Sequence, residues 1–298
     1  MTQPAVRLSG VSRRFRRAQA LDDVTLDIPA NAITGLLGRN GAGKTTLMSI
    51  IAGHDRPSSG SVQVFGTDPF EDAATMSSIS FVRDNQRYPD DFTLRQVLEV
   101  APHFHAGWDA DVAEHLVHGF RLPRKTAIKK LSRGQASSLG IVLGLSSRAP
   151  LTIFDEPYLG LDATARRFFY DTLMQDYLEH PRTILVSTHL IDEMEPLLEH
   201  VVIVDEGRLV RTATADDLRG SAVTLSGTTA AVDEIAAGHS VLQRRVVGGL
   251  SSLVLETRAD EELRTRAARA GAQLSPATLQ DLVAAYGVER DSREGTLA

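Results

Sequence analysis

The chain has 298 residues, 42% of them hydrophobic, enough to bury a sizeable core and to form more than one domain. Its formal net charge of −6 carries no dominant acidic or basic block, so bulk attraction to nucleic acid or to an anionic membrane is not expected. Cysteine is absent, which excludes disulfides and thiolate metal sites and suits a reducing cytoplasm.

Met1 to Gly10 lacks the charged-then-apolar pattern of a signal peptide. No apolar run approaches the roughly 20 residues of a membrane helix. The nearest, Leu139 to Phe154, is broken by Ser146, Ser147, Arg148 and Pro150, so the chain is expected to be soluble on its own. "AVRLSG" and "VTLDIP" read as strands of a small N-terminal sheet, and "AITGLLG" as a short, fully apolar strand of the buried kind. Thr45 to Ala52 is helical, with Gly53 as its stop. "SVQVFG" and "SISFV" are further strands. From Phe92 to Ser147 the pattern turns helical, and strands resume at "LTIF", "RTILVS" and "EHVVIVD" with helices between them. This alternation implies a parallel sheet with an inserted helical block.

Beyond Gly220 the elements shorten. "AVTL", "VLQRRVV", "SLVLET" and "AQLS" read as strands, with Gly248-Gly249 at a hairpin, and "DEELRTRAARAG" and "PATLQDLVAAYG" as helices. A small α+β unit is expected over Ser221 to Gly287, with Val288 to Ala298 as a polar tail.

Gly38, Arg39, Asn40, Gly41, Ala42, Gly43, Lys44 and Thr45, followed by Thr46, fit the phosphate-loop pattern at every fixed position. The glycines let backbone N–H groups turn towards an anion, and the helix that starts there adds its positive dipole end. Lys44 supplies a mobile charge for the outer phosphates, and the Thr45 hydroxyl can ligate Mg²⁺. A glycine-rich turn before a structural helix is the bland alternative, but the preceding strand, the following helix and the Lys-Thr pair all favour a nucleoside triphosphate. "LTIFDEP" then ends an apolar strand on Asp155 and Glu156. Neighbouring residues of a strand point in different directions, so one carboxylate can face a metal while the other faces an attacking water. Asp155 is the metal-side candidate and Glu156 the base.

Several separated motifs together resemble the ATP-binding subunit of an ABC transporter. They are the phosphate loop, "LSRGQ" at Leu131 to Gln135, "DEP" at Asp155 to Pro157, "GLD" at Gly160 to Asp162, and "STH" ending at His189. The resemblance covers roughly Val6 to Arg211 and implies an α/β P-loop NTPase cassette: a parallel-sheet core, an N-terminal antiparallel β subdomain and an inserted helical subdomain. The cassette is expected over residues 1–220, with the helical subdomain over about 92–147, and the pattern beyond Gly220 gives a small α+β accessory domain with a flexible tail over 221–298. In the family the signature is LSGGQ, and Arg133 departs from it at a tolerant position. Ser132, Gly134 and Gln135 then form a second phosphate-binding surface at a helix start, which closes over the phosphate loop of a partner cassette. One copy therefore binds ATP but does not complete a site.

By the same resemblance His189 matches the switch histidine that reaches the γ-phosphate, Asp162 the loop acid that contacts the partner cassette, and Phe15 the aromatic that stacks on adenine. The basic residues Arg13 to Arg17 around Phe15 read as a solvated turn, since no aromatic-basic surface accompanies them. The family's Gln after "SISFV", a Mg²⁺ ligand, has two counterparts here, Asp84 by position and Gln86 two residues on. Tyr158 replaces the family's common Thr or Ser and is expected to tune packing rather than chemistry. His103 with His105, and His115 with His118, lack an evident third metal ligand. Trp108 is either a core anchor or a contact to the membrane partner.

The resemblance implies an ATPase with ATP and Mg²⁺ as cofactors, pairing with a second cassette as a homodimer or heterodimer. It also implies a separate transmembrane permease, no nucleic acid, and a place at the cytoplasmic face of the membrane. The ending "SPATLQDLVAAYG" is similar to the terminal segment of exporter-type ATPases, although Val283 stands where an aromatic is common. An exporter motor is therefore expected, with an importer motor and a soluble ATPase acting on DNA or ribosomes as the alternatives.

Overall fold

The computed structural model describes residues 3–16, 18–84 and 86–294, with side chains through residue 286. Arg17 of the basic turn lies outside the described residues, as do residues 295–298 of the expected tail. The chain opens with β1 (Val6–Phe15) and β2 (Ala18–Ile28), then β3 (Ile33–Leu37), α1 (Lys44–Ile51) and β4 (Ser59–Val64). β4 returns to the far edge of β1, giving a small antiparallel sheet in the order β2-β1-β4.

α2 (Ala73–Ser77) and β5 (Ile79–Val82) follow, then the helical block α3 (Leu94–Val100), α4 (Ala110–Gly119) and α5 (Arg133–Ser146). The chain re-enters the core with β6 (Leu151–Asp155), α6 (Ala163–Glu179), β7 (Thr183–Ser187), α7 (Ile191–Met194), β8 (His200–Asp205) and β9 (Arg208–Thr214). Six strands form the central sheet in the order β5-β6-β7-β3-β8-β9, parallel except for the last. β3, β6 and β7 are buried at every position, which explains their unbroken apolar or small sequences.

One face of this sheet packs with the small sheet and α1 through Leu36, Leu47, Ile50 and Ile153. The other buries Leu37, Phe154, Phe169 and the apolar residues of α5. Each large side chain so buried contributes about 1.5–3 kcal/mol. Gly144 of α5 lets the helix lie directly on the sheet, because a Cβ there would stand 2.6 Å from the Phe154 ring and 2.7 Å from Val82. The order β6-β7-β3 matters most for the site. It brings the carboxyl ends of three adjacent strands together, and that edge of an open α/β sheet is where ligands bind.

The last part contains α8 (Ala215–Arg219), β10 (Val223–Thr228), α9 (Thr229–Ala236), β11 (Val241–Val247), β12 (Leu250–Leu255), α10 (Glu261–Arg269), β13 (Gln273–Pro276) and α11 (Leu279–Glu294). Its strands form a separate antiparallel sheet, β11-β12-β10-β13, over a core of Leu225, Val232, Leu253 and Leu263. α11 turns back so that Leu279, Leu282 and Ala285 join the same apolar cluster as Met194 and Val201. The helix continues past Gly287 to Glu294, beyond the end expected from the sequence. Among the described residues no helix is long and apolar enough to cross a membrane.

Candidate active site

The loop after β3 is shaped by its glycines. Gly38 has φ 151° and Gly43 has φ 100°, and a Cβ would meet the carbonyl of Val204 at 2.1 Å or that of Ala20 at 2.5 Å. Gly41, with φ 85°, faces open space. Only glycine adopts this succession without strain. The Ala42 carbonyl accepts the Gly207 N–H at 3.0 Å, fixing the loop to the β8–β9 turn. Asn40, Gly41, Gly43, Lys44, Thr45 and Thr46 line a cleft of about 230 Å³ together with Asp155 and Glu156.

Lys44 is buried in that cleft. Its Nζ donates to the Gly38 carbonyl at 2.8 Å and the Arg39 carbonyl at 3.1 Å, and lies 3.9 Å from Glu156 Oε1. Burial lowers its pKa, while the Glu156 and Asp155 carboxylates pull it back up. Asp155 is buried at the end of β6 and accepts two hydroxyls: Thr45 Oγ1 at 2.7 Å and Ser187 Oγ at 2.6 Å. The Ser187 oxygen in turn accepts the Glu156 N–H at 3.0 Å. Thr45, Asp155 and Ser187 thus tie α1, β6 and β7 into one polar knot beside the phosphate loop. A carboxylate next to a Thr hydroxyl at a phosphate loop is a donor set that suits Mg²⁺.

Glu156 has φ 50°, a left-handed backbone that a non-glycine residue adopts at a cost. Its Oε2 accepts the Tyr158 hydroxyl and lies 2.6 Å from His189 Nδ1. Tyr158 is buried, its oxygen also accepts the His189 N–H at 2.7 Å, and its ring meets the imidazole edge-on at 5.3 Å. Burial first, then the bond to Glu156, raises the pKa of the phenol well above its ordinary value, so the group stays a donor. Tyr158, expected to act through packing alone, is thus hydrogen-bonded to both candidate catalytic residues. Nothing in the local spacing marks it; only the turn after β6 brings its hydroxyl there.

"LSRGQ" starts α5. Ser132 is its N-cap: Ser132 Oγ accepts the Gln135 N–H at 3.2 Å, and Gln135 Oε1 accepts the Ser132 N–H at 3.0 Å. Gly134 lies so close to the loop after β6 that a Cβ would stand 2.5 Å from the Gly160 carbonyl, and Ser137 Oγ donates to the Leu159 carbonyl at 2.6 Å. None of the signature residues lines the phosphate-loop cleft of the same chain.

A family model described as ABC transporter matches residues 21–159. Nod factor export ATP-binding protein I of Rhizobium leguminosarum bv. viciae is 31% identical over 212 residues, spanning 69% of this chain and 68% of that protein. Aliphatic sulfonates import ATP-binding protein SsuB 2 of Streptomyces avermitilis is 32% identical over 216 residues, spanning 72% of this chain and 83% of that protein. The chain belongs to the ABC transporter family. A solved ATP-binding subunit of an ABC transporter superposes with a TM-score of 0.65 at 26% identity, over 72% of this chain and 92% of that one. A dimeric ATP-binding cassette in a post-hydrolysis state with ADP and Pi shares the fold, with a TM-score of 0.63 at 21% identity over 70% of this chain and 98% of that one.

This ABC protein is the ATP-binding subunit of a transporter and an ATPase. The remaining expected site residues are less convergent. Asp84 and Gln86 do not line the phosphate-loop cleft. The Asp84 carboxylate faces Arg133 at 3.3 Å, while Gln86 Oε1 accepts the Arg83 N–H at 3.2 Å. Asp162 is the N-cap of α6 and accepts the Ala165 N–H at 2.8 Å. Phe15, half-exposed at the end of β1, lies under the Arg13 guanidinium, 4.4 Å from its ring centroid.

Proposed function

We propose that this chain is the motor of an exporter, working as a pair of cassettes that drive a separate transmembrane subunit from the cytoplasmic face of the membrane. The observation that carries the reading is the convergence of Lys44, Thr45, Asp155 and Glu156 on one phosphate loop, with His189 against Glu156 just outside the cleft, while the signature at the start of α5 also stands outside it. A second copy placed head to tail supplies the missing Ser132 and Gly134 surface to each bound nucleotide. The homodimer is favoured because this single chain holds every half-site.

In hydrolysis Glu156 takes a proton from a water whose oxygen attacks the γ-phosphorus of ATP. The bond to the β–γ bridging oxygen breaks, and ADP and phosphate leave. Lys44 and the loop N–H groups offset the charge on the outer phosphates, and His189 orients the γ-phosphate. Thr45 and Asp155, with Asp84 or Gln86 as the further ligand, would hold Mg²⁺, which would supply charge neutralisation to the phosphates. Phe15 is assigned to the adenine and Asp162 to the partner cassette.

A second cleft of about 480 Å³ lies between β5 and the helical block, lined by Ile79, Phe81, Tyr88, Phe92, Phe104 and Leu143. Its exposed apolar side chains make it the surface for the transmembrane partner. Export is supported by the relatives named for Nod factor export and for daunorubicin/doxorubicin resistance, and by the exporter-like segment that becomes α11. The sulfonate-import relative favours the second reading, an importer motor. Residues 1–220 act as the cassette and 221–298 as an accessory unit.

Affinity purification of tagged Glu156→Gln protein with ATP and Mg²⁺ from detergent-solubilised membranes tests this. A stoichiometric multi-span chain is the expected companion. Recovery only as a soluble dimer, or on ribosomes or DNA, contradicts it.

A further inference from the structure

We infer that Tyr158 is a positioning residue for ATP hydrolysis, registering the Glu156 carboxylate to the loop that carries His189. The inference rests on the reading of Glu156 as the base and His189 as the γ-phosphate contact. A phenol has one proton and two lone pairs to place. Here the proton goes to Glu156 Oε2, and a lone pair takes the main-chain N–H of His189 at 2.7 Å. Any buried phenol needs partners; what sets this one apart is that they are the candidate base and the main chain of the switch residue.

The bond to the main chain matters more than the ring contact. It fixes residue 189 itself, so the imidazole is held against Glu156 from its own backbone. Because an ionised carboxylate only accepts, His189 Nδ1, 2.6 Å from Glu156 Oε2, is assigned the proton. Nε2 is then the ring nitrogen not committed to Glu156, an acceptor in the neutral ring and a donor in the charged one. Glu156 is held from a second side as well, since its N–H donates to Ser187 Oγ at 3.0 Å. Tyr158 closes the remaining freedom at the carboxylate end.

A gap separates the turn after β6 from the loop after β7. The phenol carries an oxygen across that gap while its ring stays in the core with Leu161 and Phe169. Tyr158 therefore serves two ends at once. It packs the loop after β6, and it sets the distance between base and switch residue before nucleotide arrives.

The test compares steady-state ATPase kinetics of wild type, Tyr158→Phe, Glu156→Gln, His189→Ala and the Tyr158→Phe/His189→Ala double variant, each checked by thermal unfolding. For Tyr158→Phe, kcat is expected to fall about tenfold to a hundredfold, as for loss of a hydrogen bond to a charged group, with KM for ATP within about twofold. The double variant is expected to be no slower than about threefold below the worse single one, because both act through one network. Should the Phe variant not fold, Tyr158→Met removes the same hydroxyl. Unchanged kcat in Tyr158→Phe beside an inactive Glu156→Gln would overturn the inference alone. So would a raised KM at unchanged kcat, or fully multiplicative losses in the double variant. Wild-type turnover in Glu156→Gln would remove the underlying reading and this inference with it.

Discussion

Arg133 and Asp84, two departures from the family pattern, meet each other: the guanidinium lies 3.3 Å from the carboxylate. One stands in "LSRGQ" at the start of α5, the other just after β5. The pair links the helical block to the sheet within one chain, and Asp84 is also held by its N–H, which donates to the Asp155 carbonyl at 3.2 Å. The two side chains thus offset each other in charge.

Arg133 is well exposed, so the pair is screened by water. A double-mutant cycle with Arg133→Gly and Asp84→Ala is expected to give a coupling below about 1 kcal/mol, smaller still in high salt. Chemical denaturation of the four proteins measures it. A coupling of about 2 kcal/mol or more would show the pair to be structurally stronger than its exposure allows.

Asp155 is the acceptor for Thr45 and Ser187, of which Ser187 is fully buried and Thr45 is exposed. Asp155→Ala is expected to cost about 1–3 kcal/mol of stability in the nucleotide-free protein, by leaving the buried Ser187 hydroxyl without its acceptor. The same variant should lose Mg²⁺-dependent turnover, and removing the metal with a chelator should stop wild-type hydrolysis. Thermal unfolding and an ATPase assay with a Mg²⁺ titration read the two effects separately.

Lys44 gives stability a pH signature. Its pKa in the folded chain lies below the ordinary 10.5 because of burial, with Glu156 and Asp155 opposing. Between the folded and unfolded values the unfolded chain binds more protons, so stability rises with pH across that window. The penalty is present in full below the folded pKa and is relieved as pH approaches 10.5. The Tm of nucleotide-free wild type, relative to Lys44→Met, should therefore climb on going from about pH 8 towards that limit. A flat difference would mean that the ammonium is not desolvated.

Gly134 tests the seat of the signature. A Cβ there would stand 2.5 Å from a backbone carbonyl, which cannot move as a side-chain tip does. Gly134→Ala should push the start of α5 away from the loop after β6 and cost about 1–3 kcal/mol, as overpacking does. Tm and ATPase rate are both expected to fall. An unchanged Tm would show that the loop yields freely.

Much of the site could be read locally because each residue answers a local demand. Gly38, Gly41 and Gly43 meet backbone requirements, Lys44 and Thr45 open a helix, and Asp155 and Glu156 end an apolar strand. The adjacency of β6, β7 and β3 could not be read this way. It brings Thr45 to Asp155 across 110 positions, a pairing that no window of sequence contains. Tyr158 shows a different limit. Its reach to His189 depends on the left-handed turn at Glu156, so an expected packing residue became a hydrogen-bonding one. In the last part, α9 was hidden because "TTAAVDEIA" is short and lies among strands and turns. The extension of α11 past Gly287 runs through a glycine that ordinarily signals a stop.

Glu156 as the base of a site completed by a second copy ties the chemistry to the assembly. The most direct measurement is the mass of Glu156→Gln protein in solution, with and without ATP and Mg²⁺, by light scattering after size exclusion, beside its turnover. A monomer without nucleotide, a dimer with it, and turnover reduced at least about a hundredfold are the expected result. Wild-type turnover by a protein that stays monomeric with ATP would contradict the account.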